Sequence, residues 1–165
     1  MKPLATLALL LALSLSAVAA EKKDGISISF DSDDQRAQLA PRYDVRDARL
    51  AVTTRGGAAT LLLTNDKVAV QLSEALLAKM KAKGDGGLLE EMIVAGVRTA
   101  MSKAVEYPLA NIRSAEISNG ALILTNDEGK PVFDDIQVNG EIVTKDLSTA
   151  DAAKFVSAFR AMKKR

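Results

Sequence analysis

The sequence of 165 residues contains no cysteine, no histidine and no tryptophan. Without cysteine there is no disulfide bond, no thiol nucleophile and no thiolate metal site. Without histidine the chain lacks the commonest general base and the commonest ligand of zinc and copper. Ser-His-Asp, Cys-His and histidine–metal hydrolysis are therefore excluded, and any catalysis would have to rely on carboxylates, lysine, tyrosine or serine.

Aromatic residues and net charge are also scarce. Two tyrosines and four phenylalanines are the only aromatic residues, which is too few for a platform that stacks nucleic-acid bases. The formal net charge is +1, and without Lys2 the basic residues number 21, equal to the 21 acidic residues. A chain without excess positive charge is not expected to bind nucleic acid.

The first twenty residues have the layout of a secretory signal peptide. Lys2 supplies the positive start, residues 4–15 are almost wholly apolar, and small residues follow at 17–20. The apolar run is shorter than the roughly 18 residues that a membrane-spanning helix needs, so we expect cleavage and no stable membrane insertion. The sequence predicts a signal peptide at 1–20, one domain at 21–165, and a bacterial periplasmic or secreted location.

Short alternating segments between turn residues predict many β-strands. Asn119-Gly120 and Asn139-Gly140 are typical of tight hairpin turns. The predicted strands are residues 25–30, 59–64, 67–72, 112–118, 121–125, 132–138 and 142–143, together with 43–54, which is either one long strand or two short ones.

Three helices are predicted among these strands. The first follows the N-cap residue Ser73 and ends at Gly84, the second covers about 88–106, and the third follows a capping box of Ser148 and Asp151. The fold class is therefore α+β, with an antiparallel sheet built from two meanders and three helices packed on it. A barrel-like sheet closed by the C-terminal helix is the alternative.

A near-repeat occurs in the two predicted meanders. Residues 59–66 read ATLLLTND and residues 120–127 read GALILTND. Alternate leucines should face the core, and each Asn-Asp pair should form the turn that follows the strand. We interpret the repeat as the middle strand of each meander; convergence on a good hairpin sequence is favoured over duplication.

An acidic cluster, Asp31, Asp33 and Asp34, is the first candidate for contact with a partner protein. It lacks the glycine and the glutamate that the calcium loop of an EF-hand requires, so no metal is expected there. The terminal Lys-Lys-Arg, with Lys154 and Arg160 nearby, could contact a partner or an anionic lipid, although cations at a helix C-terminus are also favoured locally.

Three methionines, Met80, Met92 and Met101, form the second candidate site, an adaptable apolar pocket. The pocket would suit a carrier of a small apolar ligand. A carboxylate-dependent enzyme is a weaker hypothesis, because the adjacent residues Asp134 and Asp135 would point to opposite faces of a strand.

The sequence as a whole predicts a small exported protein that binds another protein, is not an enzyme and needs no cofactor. An inhibitor, an immunity-type protein and an envelope adaptor all fit this description. The expected partner is another envelope or secreted protein, and a homodimer is the alternative.

Overall fold

The computed structural model describes residues 28–29, 36–84 and 101–164, of which only the backbone is described at 28–29, 81, 83 and 84. These residues form eleven strands, two helices and two short 3₁₀ turns, at Val45–Asp47 and Leu109–Asn111. The strands are β1 (Ile28–Ser29), β2 (Gln38–Pro41), β3 (Leu50–Thr53), β4 (Ala59–Leu63), β5 (Lys67–Leu72), β6 (Lys103–Pro108), β7 (Ile112–Ser118), β8 (Ala121–Asn126), β9 (Pro131–Val132), β10 (Gln137–Val138) and β11 (Glu141–Ile142). The helices are α1 (Glu74–Gly84) and α2 (Thr149–Lys163).

The largest sheet has five antiparallel strands in the order β2-β6-β5-β4-β3. Leu61 on β4 lies opposite Val52 on one side and Val70 on the other. Val70 in turn lies opposite Val105 on β6. Because residues that lie opposite one another share a face of the sheet, this register aligns one row of apolar side chains towards the main core.

Two smaller antiparallel sheets complete the strand pairing of the described residues. β7, β8 and β9 form a meander of their own, and β10 pairs with both β1 and β11. The chain is therefore α+β with antiparallel pairing, as predicted, and β3-β4-β5 and β7-β8-β9 are the two meanders. The prediction that both belong to one sheet is wrong, and so is the barrel alternative, because the described strands form three open sheets.

One hydrophobic cluster joins the five-stranded sheet, the second meander and both helices. Helix α2 contributes the apolar stripe expected from its sequence, with Phe155 and Phe159 both buried. Ser148 caps this helix, since its Oγ accepts a hydrogen bond from the Asp151 N–H at 3.0 Å. The largest fully buried side chains of the cluster are Tyr107, Phe155, Leu61, Leu63, Ile112, Leu122, Leu124, Ile136, Val68, Val70 and Val143.

The predicted second helix differs most from the structure. Met101 and Ser102 are helical, but residues 103–106, expected at the helix end, belong to strand β6. The segment KAVEYP alternates between two faces, with Val105 and Tyr107 towards the main core and Glu106 on the other face. The described residues contain two complete helices rather than three, and residues 85–100 of the prediction lie outside them. Neither helix is long and apolar enough to cross a membrane.

Two predicted strands are interrupted. Residues 45–47 form a 3₁₀ turn inside the predicted strand 43–54, because the Asp44 side chain accepts a hydrogen bond from the Arg46 N–H and starts a turn. The predicted strand 132–138 bends at Phe133, whose φ is +64°. Burial of the Phe133 ring against the edge of Tyr107, with centroids 6.2 Å apart, stabilises this unusual conformation.

The two LTND segments end in different turns. Asn65 is exposed and accepts one hydrogen bond, from Arg49 Nε at 2.6 Å. Asn126 is fully buried, and its Oδ1 accepts from the N–H groups of Glu128 and Lys130 at 3.0 and 2.8 Å. Leucines of both segments face the core as predicted. The two segments therefore form equivalent strands, but the turns that follow these strands differ in burial and in hydrogen bonding.

This difference predicts unequal effects of one substitution at the two positions. Asn126→Ala should lower the free energy of unfolding by about 2 kcal/mol or more, because two backbone N–H groups lose their acceptor. Asn65→Ala removes the same atoms from an exposed turn and should cost at most about 0.5 kcal/mol. Urea unfolding of both variants tests this, and equal losses of stability would contradict it.

Candidate binding surface

The residues predicted to form sites are only partly described. Asp31, Asp33, Asp34 and Met92 lie outside the described residues. Met80 is buried in the main core, and Met101 packs against that core while partly exposed. These two methionines occupy positions in a packed cluster, and neither lines the two surface depressions described below. The apolar-ligand site and the acidic contact site stay predictions.

The first depression is a groove of about 660 Å³ between helix α2 and the end of strand β7. The helix begins beside the end of β7 and finishes with Lys163 Nζ within hydrogen-bond distance of the backbone oxygens of Leu109 and Ala110. The helix therefore runs antiparallel to β7. The groove is lined by Ile117, Ala153, Val156, Ser157, Arg160, Ala161 and Lys164.

Ile117 marks the apolar part of this groove. It shares a face of β7 with the buried residue Ala115, but 40% of Ile117 is exposed. The neighbouring helix residues Ala153 and Ser157 are too short to cover it. An aliphatic side chain on the core-facing side of a sheet is thus left open to solvent in a concave surface, where a partner could bury it.

The groove is cationic at the C-terminal end of α2. Arg160 and Lys164 line it there, and none of the lining residues is acidic. Within the described part of the chain, neither of these two cations has a carboxylate partner. Lys163 is directed instead to two backbone carbonyl oxygens. Among the described residues, these two cations beside Ile117 are therefore available for interaction with an anionic group.

The second depression, of about 620 Å³, lies at the N-terminus of α2. Arg55 and Lys145 line it together with the hairpin turn at Asn119. Two of its polar groups have partners: Arg55 pairs with Asp146 at 3.3 Å, and Ser148 caps the helix. These contacts join the helix N-terminus to the strands beside it.

A cluster of titratable side chains lies on the opposite face of the five-stranded sheet. Glu106 on β6 is 7% exposed, and its carboxylate accepts hydrogen bonds from the Lys67 ammonium and the Tyr43 hydroxyl. The backbone N–H of Tyr43 donates to Gln71 Oε1 at 2.9 Å, and the backbone oxygen of Tyr43 accepts from Gln71 Nε2 at 3.0 Å. These contacts hold residues 42–49 across the small apolar cluster of Leu62, Ala69 and Ala104.

The electrostatics of this cluster favour a structural role. Burial and the hydrogen bond to Glu106 raise the pKa of Tyr43 to about 12. The same carboxylate raises the pKa of Lys67 above its ordinary value. A catalytic lysine or tyrosine needs its pKa shifted down, towards the working pH. Here both groups are held protonated, as expected for a clamp that neutralises one buried carboxylate.

Sequence reasoning did not identify Glu106 or Ile117 as special. The alternation of KAVEYP could have identified Glu106, because a strand pattern places the acid on the same face as the apolar residue Ala104. No local pattern could have identified Ile117, since its exposure depends on how far α2 extends over the sheet. Among the described residues no group of three acidic side chains is placed to hold a metal ion.

The raised pKa of Tyr43 predicts a specific loss of stability in alkali. Between pH 10 and 12 the unfolded chain loses the Tyr43 proton while the folded chain keeps it. Stability should therefore fall as pH rises through this window, and it should fall less steeply in Tyr43→Phe. Urea unfolding at a series of pH values measures both slopes. Parallel slopes in the two proteins would refute the assignment.

In comparisons with protein-family models, with curated proteins and with solved structures, no match to this chain was found.

Proposed function

We propose that the chain is a small exported protein that binds another envelope or secreted protein and has no enzymatic activity. The observation that carries this proposal is the groove between α2 and β7, where Ile117 is exposed within a surface otherwise lined by small and cationic side chains and Val156. When a partner covers a partly exposed aliphatic side chain, the burial of apolar area stabilises the complex by about 25 cal/mol per Å².

The composition supports the same proposal. The absence of histidine and cysteine leaves few routes to catalysis. Glu106, the most buried carboxylate of the described residues, accepts hydrogen bonds from Lys67 and Tyr43. Of the two non-enzymatic functions considered from the sequence, protein binding is preferred over carriage of an apolar ligand, because Met80 is buried in the core and Met101 packs against it.

Site-specific photo-crosslinking tests the binding surface. A photo-crosslinking amino acid in place of Ser157, inside the groove, should yield a covalent adduct with a second protein when the chain is produced with its leader in a bacterium. The matched control replaces Ala78, an exposed alanine of α1. Adducts from neither position, or equal adducts from both, would count against a binding surface at the groove.

Export is tested separately by the mass of the protein from the same cells. The signal peptide prediction expects the mature chain to begin close to Glu21, so the intact mass should lack residues 1–20. Osmotic shock should release this mature form with the periplasmic fraction, or it should appear in the medium. Recovery of the full-length chain in the cytoplasmic fraction would contradict the proposed location.

A further inference from the structure

We propose that the groove binds an extended segment of the partner that carries one aliphatic side chain flanked by carboxylates. This inference rests on the proposed function and specifies the chemistry of the partner at the same site. The aliphatic side chain would lie against Ile117, and the carboxylates would pair with Arg160 and Lys164.

The size and shape of the groove match one such segment. Its volume of about 660 Å³ is in the range of sites that hold a few side chains. Ala153 and Ser157, at a spacing of four residues, follow one side of the helix and leave the space above Ile117 open. An extended segment laid along α2 can therefore place an apolar side chain in the groove and its neighbours at the rim.

The positive charges that line the groove favour a partner segment with negative charge. Arg160 and Lys164 have no carboxylate partner within the described residues, and no lining residue is acidic. The exposed Glu116 of β7 points to the face opposite Ile117, because side chains alternate along a strand. A segment rich in Asp or Glu is attracted to this end of the helix, whereas a basic segment is repelled.

An anionic membrane could also be attracted by these cations, but the shape of the surface favours a peptide. A lipid surface is bound by apolar side chains that protrude into it beside a broad basic face. Here one partly exposed aliphatic side chain, Ile117, lies in a shallow groove that two cations line, and these two cations do not form a broad basic face. The exposed aliphatic surface can be covered by a side chain that enters the groove more readily than by a flat bilayer.

The test uses short synthetic peptides and two charge-reversed proteins. The probe has a central Leu flanked on both sides by Glu and carries a fluorescent label; its counterparts replace Glu with Lys, or Leu with Ser. Binding is followed by fluorescence anisotropy and by the methyl resonance of Ile117. The proteins are the mature chain, Arg160→Glu with Lys164→Glu, and the control Lys79→Glu with Arg46→Glu. The control reverses the charge of one lysine and one arginine at exposed positions that do not line the groove.

The Glu–Leu–Glu peptide should bind the mature chain and shift the Ile117 methyl resonance. Its affinity should fall by about tenfold or more in the Arg160 and Lys164 variant, and change little in the control, because exposed charge pairs act over less than about 10 Å at moderate salt. The Lys peptide should not bind, and the Ser peptide should bind more weakly. Circular dichroism checks that each variant is folded.

Three results would overturn the inference. One is equal weakening in the groove variant and in the control, which would indicate general charge attraction. Another is binding to phosphatidylserine vesicles that depends on Arg160 and Lys164 in the absence of peptide binding. The third is a crosslinked partner at position 157 whose binding survives the charge reversal; in that case the proposed function would stand and only the acidic partner chemistry would be refuted.

Discussion

Burial of both faces of the two central strands is the constraint on which the rest of the structure depends. Every residue of β4 is buried, and so is every residue of β5 after Lys67. One face packs against the second meander and α2, so the other face also needs a cover. Residues 42–49 lie across part of it, held by Tyr43 and Gln71. A carboxylate on this covered face, Glu106, is tolerated because a lysine and a tyrosine donate hydrogen bonds to it; an unpaired buried charge would cost several kcal/mol.

This arrangement explains which parts of the fold were predictable. Tight turns and amphipathic helices depend on a few neighbouring residues, so Asn119-Gly120, Asn139-Gly140 and the capped helix α2 were predicted correctly. Whether residues 103–106 form a helix or a strand depends on segments that are distant in sequence, because β6 pairs with β5 on one side and with β2 on the other. A helical period that fits a short apolar segment is overridden when two strand edges are available to it.

The candidate surface was less predictable than the fold for the same reason. The cations near the C-terminus of α2 were visible in the sequence, but their local stabilising role was equally plausible. The tertiary structure distinguishes the roles of these cations. Lys163 Nζ lies within hydrogen-bond distance of the backbone oxygens of Leu109 and Ala110, whereas Arg160 and Lys164 line the groove. The exposure of Ile117 likewise results from the position of the helix over the strand, which no pattern within IRSAEIS specifies.

The two LTND segments show how one short sequence can meet two demands. In the first, the Asn-Asp pair is exposed and turns the chain between two buried strands. In the second, Asn126 is drawn inward because the chain continues through Gly129, with φ of +80°, and back towards the core. The Asn126 side chain accepts hydrogen bonds from two backbone N–H groups of that loop and lies beside Tyr107.

Arg36 pairs with Asp127 and Glu128 of the same loop and lies over the Tyr107 ring. The second loop therefore joins β6, β8 and the segment before β2, so the resemblance between the segments ends where the tertiary contacts begin.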